Sequence, residues 1–246
     1  SGDLMILRGF PSERRRFFDM TLASVDPEYF QSLRMYHKAV QERNQLLKMQ
    51  SKGQALDAFE KELAKCAYSL VVKRREGIEH ISQILVNVYE AFSEDKERQG
   101  LAYKPDMDCT SISAYEHFFA EQRKKDQIMG STGRGPHRDD YSISLAIGGA
   151  KEYGSDGQQR GLIVALRMAQ ASLFEMELGI KPVILVDDIL GELDPMRKKS
   201  FWATCPKEIQ IIASGTEYSV EETSLDWQVW NVNNGKFTQS DSTHQK

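Results

Sequence analysis

At 246 residues, 40% hydrophobic and 28% charged, the chain has the composition of one large globular domain or two smaller ones. A formal net charge of −4 excludes a uniformly basic nucleic-acid binder and leaves only local basic faces. No apolar run approaches the roughly 18–20 residues of a bilayer crossing, so no membrane partner is expected.

In chain order, the opening "SGDLMILRGFPSERRR" places its apolar residues ahead of its charges, the reverse of a secretory signal. It does not begin on methionine, so an upstream portion is expected to be missing. The cysteines Cys66, Cys109 and Cys205 are too dispersed for a metal-type pair and read as reduced thiols in a cytoplasmic protein. Ser12 is expected to cap a helix carrying Arg14–Arg16 and Phe17-Phe18. Asp26-Pro27 is an N-cap and first-turn pair for a second helix reaching about Gln50, with Phe30, Leu33, Tyr36, Val40 and Leu47 on one face. Beyond Gly53, Leu56, Phe59, Leu63, Cys66 and Leu70 alternate by three and four, a coiled-coil-like seam. The pattern breaks near Lys73 and Gly77 and resumes at Ile81, Ile84, Val88 and Phe92. An antiparallel helical hairpin follows, and a small bundle fits equally well. The basic clusters Arg14–Arg16, Lys73–Arg75, Arg123–Lys125 and Arg197–Lys199 each also fit a solvated helix face.

Near residue 130 the pattern changes. "YSISLAI" (141–147) alternates as a strand, with a turn at Gly148-Gly149. A helix begins near Gly157, carries Leu162, Leu166, Ala169, Leu173 and Met176 on one face, and stops at Gly179. "PVILVDD" (182–188) has the continuous apolar run of a parallel strand buried on both faces. Asp194-Pro195 opens another helix, "IQIIAS" (209–214) gives another strand, and "NNGK" (233–236) a hairpin turn. The division this predicts is a junction at 1–24, a helical arm at 25–130 and an α/β unit at 131–246. Its chemistry belongs at the carboxyl ends of the strands.

Two motifs stand there. Asp187 and Asp188 end an apolar strand. One carboxylate can hold the water shell of Mg²⁺, and the other can orient an attacking water. A strand running into an acidic loop explains the pair equally well. In "YGSDGQQR" (153–160), Ser155, Gly157 and Gln158 lie at a helix start, where unpaired N–H groups and the positive dipole end favour a phosphate. Alone, that stretch is no more than a capped helix.

Their order, S-x-G-Q, helix, strand ending in two acids, then "ELD", is that of the carboxyl half of an ABC-type ATPase head. With "GFPSERRRFFDM" (9–20), "YHKAVQERNQLLK" (36–48) and "GPHRDDYSI" (135–143), the chain resembles the RecF family of SMC-like ABC-type ATPases from residue 3 to about 217. The resemblance implies a head plus a helical arm. It also implies ATP and Mg²⁺ as ligands, and an ATP-dependent homodimer that binds double-stranded and gapped DNA. RecO and RecR would be its partners in loading RecA during recombinational repair and the SOS response. Ser155, Gly157 and Gln158 would touch the γ-phosphate held by the other subunit. Asp187 would hold Mg²⁺ through water, Asp188 would position the hydrolytic water, and Leu193 and Asp194 would form the D-loop. No histidine stands at the switch position; "ASGTE" (213–217) offers Ser214 or Thr216 there, and Thr216 is the expectation. Arg14, Arg15, Arg16, Arg74 and Arg75 are the candidates for DNA phosphates. "GPHRDD" receives no assigned role: His137 and Arg138 could reach nucleotide or DNA, and a tight turn entering a strand explains the stretch equally well.

The sequence departs from such heads in having no G-x-x-x-x-G-K-[ST] loop. The resemblance places that loop upstream of residue 1, so ATPase activity is expected of the complete protein and poor ATP binding of this stretch alone. Two other readings remain. Another SMC-like ABC ATPase would carry a longer arm than residues 25–130. A non-catalytic helical interaction module would tolerate decayed motifs, against which the intact Asp187-Asp188 pair argues.

Overall fold

The structure is a computed structural model that describes residues 2–50, 54–92, 98–187, 195–205, 208–215 and 227–240. The first half is helical: α1 (Met5–Arg8), α2 (Pro11–Val25), α3 (Pro27–Lys48) and α4 (Gln54–Phe92). Helix α2 begins two residues earlier than a Ser12 cap would set it. Phe10 is its N-cap without a side-chain hydrogen bond, and Pro11, which has no N–H to satisfy, takes the first position. Ser12 therefore lies inside the helix. Asp26 caps α3 as expected, accepting from the N–H groups of Glu28 at 2.8 Å and Tyr29 at 2.9 Å.

On α3, Tyr36, Val40 and Leu47 face inward as predicted, but Phe30 is 51% exposed. Tyr29 takes its place, its hydroxyl donating to the partly buried Asp19 at 2.5 Å. Helices α3 and α4 run antiparallel: Lys73 bonds Asp26 at 2.9 Å, Ser69 meets Ser32 at 3.2 Å, and Arg43 bonds Glu60 at 2.9 Å.

The predicted break near Lys73 and Gly77 does not occur; α4 is one helix of 39 residues. Both interruptions of its apolar stripe have tertiary causes. Arg74 enters a buried ion-pair network. Gly77 lets α2 approach: a Cβ there would lie 2.4 Å from Leu22 Cδ2. Gly77→Ala is therefore expected to lower the urea midpoint despite the roughly 1 kcal/mol helix-propensity gain of alanine. The overpacking costs about 1–3 kcal/mol. Adding Leu22→Ala should relieve it, and a stabilised single variant would contradict the close-approach account.

The sequence reading missed β1 (Gln99–Lys104). It pairs antiparallel with β2 (Asp140–Leu145), from Gln99 opposite Leu145 to Lys104 opposite Asp140. Between them in the chain runs α5 (Ile112–Met129), capped by Ser111 and ended by Gly130 in the left-handed region. Strand β2 alternates as predicted, with Tyr141, Ile143 and Leu145 inside. The turn, however, falls at 146–147. Gly148 and Gly149 pair back onto Leu145 and Ser144 as β3. A short helix α6 (Ala150–Tyr153) leads to α7 (Asp156–Leu178). Leu162, Leu166, Ala169 and Leu173 are buried, whereas Met176, expected beside them, is 63% exposed because α7 outruns the core it covers.

Beyond α7 come β4 (Ile184–Asp187), α8 (Pro195–Thr204) and β5 (Ile211–Ser214). β4 and β5 pair in parallel, with Asp187 opposite Ser214. Val186 packs with Val164, Met168, Phe201 and Trp202. The expected burial on both faces is not met: Leu185 is 73% and Ile212 55% exposed, and among the described residues nothing covers that face. Strands β6 (Trp230–Asn233) and β7 (Lys236–Gln239) form the predicted hairpin, with Asn234 and Gly235 both at positive φ. The fold is α/β with a long helical portion. Its main core runs continuously from Ile6 through α4 and the β1–β2 sheet to Leu173 on α7.

Candidate nucleotide site at the strand ends

The start of α7 is built from its own sequence. Ser155 Oγ accepts from the Gln158 N–H at 3.2 Å, and Gln158 Oε1 accepts from the Ser155 N–H at 2.8 Å, a reciprocal capping box. The Ser155 hydroxyl proton remains available as a donor, and the dipole end of a 23-residue helix stands behind it. A Cβ on Gly157 would stand 2.6 Å from Arg197 Nη1, so glycine here leaves room for a guanidinium from α8.

At the far side, Asp187 ends β4 with its side chain exposed. The Ser214 hydroxyl, at the end of β5, donates to Asp187 Oδ1 at 2.6 Å. The parallel register produces this meeting, since Asp187 and Ser214 are paired positions. Ser214, the less favoured of the two switch residues, is thus the one described beside the acid. Asp188, Leu193, Asp194 and Thr216 lie outside the described residues. The two halves share one small core in which Val164 and Met168 of α7, Val186 of β4, and Phe201 and Trp202 of α8 pack together. Among the described residues no group of three or more His, Cys, Asp or Glu is arranged to hold a metal ion. The exposed Asp187 carboxylate suits Mg²⁺, which keeps several waters and takes one or two carboxylates plus phosphate oxygens.

Sequence reasoning overlooked two residues behind the capping box. Gln159 is 5% exposed; its Nε2 donates to the carbonyls of Gly154 at 2.9 Å and Lys151 at 3.2 Å. Arg8 reaches it from α1, Nε to Gln159 Oε1 at 2.6 Å, and also bonds Asp156 at 2.6 Å. The second glutamine of "GQQR" is a local signal for Gln159. Arg8 has none.

The stretch "GPHRDD" acquires a structural role. Asp139 is fully buried and accepts from Arg74 Nη1 at 2.7 Å, the Asp106 N–H at 2.7 Å and the Tyr103 hydroxyl. His137 Nε2 donates to the Thr132 carbonyl at 3.0 Å, which leaves Nδ1 to accept from the Tyr36 hydroxyl at 2.7 Å. This pairing requires a neutral ring. Burial, opposed by the Thr132 carbonyl, lowers the His137 pKa below its ordinary 6.5. The unfolded chain then binds the extra proton first, so this stability is complete above pH 6.5 and is lost on acidification through the folded value. Urea midpoints should therefore fall from pH 8 to pH 5, and His137→Gln should flatten that slope. An unchanged slope in the variant would remove His137 from the account.

The five arginines proposed for DNA differ in availability. Arg74 is 1% exposed and bound to Asp19 and Asp139, so it cannot reach a phosphate and is corrected to a structural residue. Arg14 forks onto Asp140 at 2.7 and 3.0 Å. Burial opposes ionisation of Asp140, but Arg14, the Tyr141 N–H and Arg15 together more than offset it and hold the carboxyl below its usual range. Arg15 donates to the Asp139 carbonyl at 2.7 Å. Arg75 pairs with Asp108 in the open, and Arg16 is exposed. The three cysteines are free, and burial pushes the Cys205 thiol up to about 12. No described helix is long and apolar enough to cross a membrane.

No family model matches the chain. It is 33% identical over 226 residues to the DNA replication and repair protein RecF of Geobacillus thermodenitrificans, covering 87% of this chain and 61% of that protein. Against the RecF of Natranaerobius thermophilus it is 32% identical over 264 residues, covering 99% of this chain and 68% of the relative. The solved structure described as the recombination mediator RecF–ATP of the RecFOR pathway superposes with a TM-score of 0.83 at 25% identity. That match covers 97% of this chain and 65% of the solved one. The chain thus spans about six-tenths of the length of the first of these relatives. The solved neighbour supports the architecture of the carboxyl half of an ABC-type head with a helical arm. On sequence and fold together, the chain belongs to the RecF family of DNA replication and repair proteins.

Proposed function

We propose that the chain contributes to two ATP sites of a DNA-repair ATPase dimer, its signature turn to the site of the other subunit and its strand-end acids to its own. The observation that carries this reading is the pairing of two motif ends: a capped S-D-G-Q helix start, and Asp187 held by Ser214 at the carboxyl ends of two parallel strands. Ser155, Gly157 and Gln158 meet the γ-phosphate of ATP bound by the other subunit, with backbone N–H groups and the Ser155 hydroxyl as donors. Asp187 would hold Mg²⁺, and the metal would supply charge neutralisation at the phosphates. Asp188 orients the hydrolytic water, Leu193 and Asp194 form the D-loop at the subunit contact, and Thr216, with Ser214 beside it, occupies the switch position. Engagement of both copies closes a homodimer on double-stranded or gapped DNA through backbone phosphates, with Arg16 and Arg75 the accessible arginines and Arg14 and Arg15 already engaged. RecO and RecR, in the cytoplasm, are the partners through which the dimer assists RecA loading. The division into junction 1–24, arm 25–130 and head 131–246 belongs to this reading.

The test uses the gene product at its native length. Sedimentation with ATP and Mg²⁺ should show a dimer that is absent without nucleotide. DNA binding should rise with it and weaken as salt is raised. A protein that binds no nucleotide, yet holds partners through its helices, would favour the non-catalytic interaction module.

A further inference from the structure

We infer that Arg8 is a positioning residue for the signature turn: it fixes Gln159 and cancels the charge of Asp156 where the γ-phosphate arrives. This inference rests on the trans-site reading above. The geometry is a chain of directed bonds. Arg8 presents two donors of one guanidinium, Nε to Gln159 Oε1 and Nη2 to Asp156 Oδ1, both at 2.6 Å. Gln159, 5% exposed, uses its amide nitrogen on the carbonyls of Lys151 and Gly154. Its oxygen has to face Arg8, so the amide has only one satisfying orientation. The turn at Gly154, which delivers Ser155 to its N-cap position, is thereby tied to the end of α1.

Asp156 raises the need for this. A carboxylate in the first turn suits the helix dipole but repels an incoming phosphate. The Arg8 and Asp156 side chains are 38% and 74% exposed, and pairs so open contribute little to folding. The pair is therefore better explained by the field it sets at the helix start. The same connection links the turn to the "GFPSERRR" segment, whose Arg14 and Arg15 are held by Asp140 and the Asp139 carbonyl. A shift of that segment would reach Ser155 through Arg8.

The experiment measures the ATP concentration for half-maximal dimerisation of the native-length protein. Ser155→Ala is the control for the trans-site reading itself; if it changes nothing, that reading fails and the inference fails with it. With Ser155→Ala effective, Arg8→Ala should raise the requirement about tenfold, beyond the modest drop in thermal midpoint that the unpaired Gln159 oxygen brings. Asp156→Asn added to Arg8→Ala should return it to within about threefold of the parent, since the uncompensated charge is gone. Arg8→Lys, which keeps the charge and loses the fork, should lie between. An Arg8→Ala protein with parental ATP dependence, or one that Asp156→Asn fails to rescue, would overturn the inference while leaving the trans site standing.

Discussion

Replacing Arg74 by methionine should lower stability by about 3–5 kcal/mol, because it leaves buried carboxylates without their cation. Asp139 and Asp19 have side-chain exposures of 1% and 14%, and both bond Arg74, at 2.7 and 2.9 Å. The guanidinium also donates to the Pro136 carbonyl at 2.7 Å. One side chain thus joins α2, α4 and the loop entering β2. For a chain of this size the thermal midpoint should drop by roughly 6–20 °C. Asp139→Asn in the Arg74→Met background should recover part of the loss, since the orphaned charge rather than lost packing dominates. A single-variant loss below about 1 kcal/mol would mean that the network is hydrated and not a buried ion pair.

The second large effect falls on chemistry. Asp188→Asn in the native-length protein should slow ATP hydrolysis by about 10²–10⁴-fold, the range of a positioned acid–base group. ATP-dependent dimerisation should persist, because the amide retains the size of the side chain and Asp187 retains the metal. Asp187→Ala should weaken both, and Ser214→Ala should fall between, since the Ser214 hydroxyl holds one Asp187 oxygen at 2.6 Å. Hydrolysis at the parental rate in Asp188→Asn would remove that residue from its role.

Features with local causes were legible in the sequence. The Asp26 cap, the helix start around Ser155–Gly157, the Gly179 stop and the Asn234-Gly235 turn each depend on a few adjacent residues, and each stands where the pattern put it. Features with distant causes were not. Gly77 read as a break because its reason, Leu22, lies on another helix. Arg74 looked like its neighbour Arg75, yet one is sealed against Asp139 and the other lies open beside Asp108. Strand β1 offers only Leu101 and Tyr103 as alternating apolar residues, too short a pattern to compete with the helices around it. At the site, the order of motifs pointed to Ser155, Gly157, Gln158 and Asp187. Arg8 could not be found that way, because its partners Asp156 and Gln159 are distant in sequence and near only in the fold.

The central claim is that Ser155 and the acids at the end of β4 serve different nucleotide sites of one dimer. Mixing two inactive proteins of native length, Ser155→Arg and Asp188→Asn, tests it directly. If the signature acts in trans, each mixed dimer carries one intact site and one doubly impaired site. Random pairing in a two-fold dimer then restores about one quarter of the parental hydrolysis rate. If Ser155 and Asp188 serve the same site, every site in the mixture is impaired, and no activity above the separate variants would return.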